Sequence, residues 1–120
     1  MKNERPCEYA EMTAEFYYAL MPALKFVARK CGYALLQHGS LKTDIDLVAV
    51  PWREMAIDQH DLAEHIRTTA EAIIGIAQQQ GKSGPTIKPN GRLAWSFHLV
   101  PPECRGPYID LSVLPPLETK

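Results

Sequence analysis

The chain has 120 residues, 46% hydrophobic and 22% charged, with a formal net charge of −1 at pH 7. That length supports one hydrophobic core, hence one domain over 1–120, and the composition excludes disordered and fibrous classes. Scattered Lys and Arg leave no basic stripe to follow nucleic-acid phosphates, which disfavours a nucleic-acid partner, and no apolar run approaches the roughly 20 residues of a membrane span.

The first residues, Met1-Lys2-Asn3-Glu4-Arg5-Pro6, lack the apolar stretch of a signal peptide. Cys7, Cys31 and Cys104 are odd in number and widely spaced, which suits neither a disulfide framework nor a C-x-x-C metal pair. A cytoplasmic protein with reduced thiols is expected.

The chain then reads as alternating helices and strands. Tyr9, Met12, Phe16, Ala19, Leu20, Ala23, Leu24 and Val27 recur at helical steps and predict a helix over 8–30, kinked or divided at Pro22 and stopped by Gly32. Residues 33–38 read as a buried strand, and 44–50 as a second strand ending at Pro51. Leu62, Ile66, Ala70, Ile73, Ile74 and Ala77 mark the inner face of a second helix over 58–79, with Asp58 or Asp61 as cap and Gly81 as stop. Residues 82–92 carry Gly84-Pro85 and Pro89-Asn90-Gly91 and read as a loop. Two further strands, 93–100 and 108–114, are too close in sequence for a helical crossover and predict an antiparallel hairpin.

Strand alternation sorts the side chains of this sheet into two faces. Ile45, Leu47, Ala49, Leu93, Trp95, Phe97, Leu99, Ile109, Leu111 and Val113 fall on one, ready to be covered by helices. Asp44, Asp46, Ser96, His98, Tyr108, Asp110 and Ser112 fall on the other. Aspartate is depleted in strands, and Asp44 and Asp46 on one face stand roughly 7 Å apart. No Lys or Arg on these strands balances the three carboxylates. Such a cluster is expected to be neutralised by a cation, and its all-oxygen donors suit Mg²⁺ or Mn²⁺.

Gly39-Ser40 at the end of one strand, followed by Asp44-Ile45-Asp46 on the next, resembles the Gly-Ser … Asp-x-Asp signature of the nucleotidyltransferase (DNA polymerase β-like) superfamily. Asp110, in Tyr108-Ile109-Asp110-Leu111-Ser112, matches in order the third carboxylate of that family. The resemblance spans most of the chain and looks like a minimal member without the appended helical domain. It implies an α/β (α+β) fold with a mixed sheet of about four strands and helices packed on one face. It also implies that Gly39 and Ser40 hold nucleotide phosphates, that Asp44 and Asp46 ligate divalent metal, and that Asp110 shares the metal beside the attacking hydroxyl. Lys42 and His98 are added to the nucleotide-binding set as residues within reach of the phosphates.

The implied activity is transfer of a nucleoside monophosphate from a metal-bound nucleoside triphosphate to an acceptor that the sequence does not name. Only Leu41, Lys42 and Thr43 separate Gly39-Ser40 from Asp44, a shorter linker than typical members have. That compression motivates a second expectation: a catalytically inactive protein of this fold that acts through a partner protein, as a phage regulatory or anti-defence protein would. A homodimer covering apolar surface is expected under either reading. Lys88 and Arg92 flank the Pro-Asn-Gly turn, where they could bind phosphate; solvated loop charges are the default reading.

Overall fold

The computed structural model describes residues 14–39, 44–79, 84–101 and 107–117. Helix α1 (Ala14–Lys30) leads into β1 (Tyr33–His38) and β2 (Asp44–Pro51); α2 (Gln59–Ile74) follows. The short strands β3 (Gln78–Gln79) and β4 (Thr86–Ile87), a single 3₁₀ turn (Pro89–Gly91), then β5 (Leu93–His98) and β6 (Tyr108–Val113) complete the chain order.

The fold is mixed α+β, with two helices and a six-stranded mixed sheet in the order β1-β2-β6-β5-β3. β4 also pairs with β5, so β3 and β4 share one edge of that strand. The expected four strands are all present, and two further strands of two residues each bring the number to six. Such short pairings carry no periodicity a sequence can display; residues 78–79 were expected at the end of a helix and 86–87 in a loop. β2 and β6 are parallel neighbours, while β5 and β6 form the antiparallel pair expected of them.

One face of the sheet is closed. Ile45, Leu47, Ala49, Phe97, Ile109, Leu111 and Val113 are buried against Leu20, Leu24 and Ala28 of α1 and Leu62, Ala63, Ile66 and Ala70 of α2. Each large apolar side chain so enclosed contributes about 1.5–3 kcal/mol relative to exposure. The α1 stripe is turned by about one residue from the expected one: Met21 and Ala28 are buried, whereas Ala19 is exposed. α1 also runs as one helix through Pro22 instead of dividing there. Its expected beginning at residues 8–13 lies outside the described residues.

α2 begins as expected at Asp58, whose carboxylate accepts the His60 backbone N–H at 2.9 Å. It ends at Gly75 rather than Gly81, because Gly75 adopts φ 103°, the left-handed stop that glycine tolerates, and donates its N–H to the Glu71 carbonyl. Gly81 itself lies outside the described residues. β1 is a half-exposed edge strand rather than a wholly buried one: Tyr33 and Leu35 face the core, while Ala34, Leu36 and His38 face outward. No helix among the described residues is long and apolar enough to cross a membrane.

Candidate functional site

Register assembles the polar face. In the parallel β2–β6 pair Asp46 lies beside Asp110 and Asp44 beside Tyr108. Antiparallel β5 sets Ser96 beside Asp110 and His98 beside Tyr108, and β1 sets His38 beside Asp46. One row across the sheet therefore reads His38, Asp46, Asp110, Ser96. The helices cover the opposite face, so this row stays half-open to solvent.

Asp44, Asp46 and Asp110 each offer a carboxylate oxygen, and these oxygens lie within 4.8 Å of one another. Ser96 Oγ donates to Asp110 Oδ1 at 2.7 Å, and the Tyr108 phenol hydrogen-bonds Asp44. Desolvation raises the pKa of Asp46; the charges of Asp44 and Asp110 and a hydrogen bond to Asp110 add to the rise, and His38 opposes it. Desolvation likewise raises Tyr108, reinforced by Asp44 and Asp110. Among the described residues no Lys or Arg pairs with Asp46 or Asp110. Three converging carboxylate oxygens fit a hard divalent cation. The residues present therefore form a candidate metal site.

Gly39 shapes its edge. Its φ is 87°, and a Cβ there would collide with Oδ2 of Asp46. The left-handed φ favours glycine, and a larger residue would also push the Asp46 carboxylate aside. Ser40 and Lys42 lie outside the described residues. His98 shares the polar face but stacks on Tyr108, with ring centroids 5.5 Å apart and planes at 22°.

Beside the carboxylates opens a cleft of about 400 Å³. Its lining includes His38, Asp46, Ser96 and Asp110 together with Thr86, Lys88, Arg92 and Ser112. Lys88 and Arg92 are thus cleft residues and not merely loop charges: Arg92 Nη1 donates to Ser112 Oγ at 2.9 Å. The signal was present in the alternation of β5, because Arg92 precedes Ala94 and Ser96 by steps of two. Thr86 and Lys88 required the unpredicted strand β4. No protein-family model and no curated protein matches the chain.

Proposed function

We propose that this chain is a minimal nucleotidyltransferase-like protein, which binds a metal-complexed nucleoside triphosphate and transfers its nucleoside monophosphate to an acceptor hydroxyl. The observation that carries this reading is the convergence of Asp44, Asp46 and Asp110 within 4.8 Å on the open face of the sheet, with Gly39 against Asp46. The resemblance of Gly39-Ser40 and Asp44-x-Asp46 to the superfamily signature supports it.

In this reading Asp44, Asp46 and Asp110 would hold Mg²⁺ or Mn²⁺, which would neutralise charge on the phosphates and on the departing pyrophosphate. Asp110, oriented by Ser96, accepts the proton of the acceptor hydroxyl. The acceptor oxygen forms its bond to the α-phosphorus as the bond to the bridging oxygen breaks, releasing pyrophosphate. Ser40 and Lys42, following Gly39, contribute phosphate donors, and His98 contacts the nucleotide from the neighbouring row.

The test is nucleotide turnover by Asp46→Asn with Mg²⁺. Loss of turnover with the fold retained is expected; turnover at the wild-type rate removes the catalytic assignment. A second reading, a non-catalytic partner-binding protein of the same fold, draws on the three-residue linker Leu41–Thr43. Partner capture that survives Asp44→Asn and proceeds in EDTA favours it.

A further inference from the structure

The carboxylates occupy one end of the cleft, and the other end is cationic. Thr86 pairs with Ala94 and Ile87 with Leu93, and the Lys88 N–H donates to the Arg92 carbonyl at 2.8 Å, which carries the β4–β5 ladder one step further. Lys88 and Arg92 are therefore cross-strand neighbours, and both line the cleft. Two like charges directly opposite each other on a sheet destabilise it. Among the described residues neither is in an ion pair.

The hairpin that imposes this pairing is firmly built. Asn90 and Gly91 take φ 66° and 77°, left-handed values that asparagine and glycine tolerate best. Gln59, the first residue of α2, donates through Nε2 to the carbonyls of Gly91 at 2.9 Å and Val113 at 2.7 Å, tying the turn to the end of β6. Arg92 gives one N–H to Ser112, two residues beyond Asp110 on the same strand face, and a guanidinium has further donors in a fixed fork. A planar fork, an ammonium and two hydroxyls, Thr86 and Ser112, on one rigid wall match the oxygens of a tetrahedral dianion.

We propose that the β4–β5 hairpin is a second subsite of the cleft, in which Lys88 and Arg92 bind a phosphoryl group without metal. The subsite stands on the hairpin alone and does not depend on the nucleotidyl-transfer reading. The phosphoryl group belongs either to the tail of a nucleotide or to a phosphorylated acceptor reaching toward the carboxylates.

The experiment is titration of the ¹⁵N-labelled full chain with inorganic pyrophosphate in EDTA, followed by amide shifts. Saturable shifts at residues 86–94 are expected, with affinity at least tenfold weaker in Lys88→Met/Arg92→Met. Lys25→Met, which removes an exposed lysine of α1, is expected to change affinity less than twofold. If the double variant does not fold, Lys88→Met alone carries the test, with a loss of at least threefold. Absence of saturable shifts at the hairpin, or equal weakening by Lys25→Met, overturns the proposal.

Two further arms identify the source of the phosphate. Weaker binding of Mg²⁺-nucleoside triphosphate to the double variant assigns it to the nucleotide tail. Unchanged triphosphate binding with weakened sugar-phosphate binding assigns it to an acceptor. Asp46→Asn separates this proposal from the transfer reading, because metal-free pyrophosphate binding persists or strengthens when a nearby carboxylate is neutralised.

Discussion

Replacing Asp46 by asparagine should stabilise the metal-free protein. The three carboxylate oxygens lie within 4.8 Å of one another. At that separation two unit charges repel by about 0.9 kcal/mol at the dielectric constant of water and about 3.5 kcal/mol at an effective value near 20. Asp46 is only half-buried, so solvent screening holds each of its two repulsions, with Asp44 and with Asp110, near the lower figure, and about 2 kcal/mol is expected. For a domain of this size that is about 8 °C in Tm. Asparagine is nearly isosteric and keeps an N–H for the hydrogen bond to Asp110, so the change isolates charge. The assay is a pair of thermal melts at pH 7 in EDTA and in excess Mg²⁺. Asp46→Asn should melt above wild type in EDTA, and only wild type should gain from Mg²⁺.

The pH dependence follows with its sign. The folded-state pKa of Asp46 is raised from 3.8, so the native state binds this proton more tightly than the unfolded chain does. Its contribution to metal-free stability therefore falls as pH rises from 3.8 through the folded value, and asparagine abolishes that slope. A variant that melts below wild type in EDTA, with the slope unchanged, would refute the electrostatic reasoning.

Other expectations come from single contacts. Gly39→Ala, which combines φ 87° with a Cβ directed into Asp46, should cost about 1–2 kcal/mol in denaturant unfolding and weaken Mn²⁺ binding beyond that loss. Tyr33 is fully buried, its hydroxyl donates to the Ile57 carbonyl at 2.6 Å, and burial pushes its pKa up to about 12. Tyr33→Phe should cost about 1 kcal/mol. In wild type the raised phenol pKa should make stability fall between pH 10 and 12, an alkaline slope that the variant lacks when followed by circular dichroism. Gln59→Ala leaves the Val113 and Gly91 carbonyls without their shared donor and should cost about 1–2 kcal/mol, read from the urea midpoint.

Much of this arrangement was legible because strand alternation is a local property. Ile45, Leu47 and Ala49 on one side of β2 and Asp44 and Asp46 on the other follow from a period of two, and so does Asp110 between Ile109 and Leu111. That β6 inserts beside β2, bringing Asp110 level with Asp46, is a pairing choice that no local pattern displays. The cationic wall was obscured for a related reason. Thr86-Ile87 is too short to show alternation, so Lys88 looked like a loop residue until its partner strand was in place. Helical spacing extends α2 too far because Ala77 sustains the apolar stripe past Gly75, and periodicity does not register a left-handed residue. His38 went unnoticed because a short apolar run gives no sign of lying at a sheet edge.

The most direct test of the metal-nucleotide reading is calorimetric titration of the full chain with each nucleoside triphosphate in Mg²⁺, repeated on Asp46→Asn. Magnesium-dependent binding that is lost in the variant is the predicted result. Binding to no triphosphate, or binding that ignores both Mg²⁺ and the substitution, would contradict it.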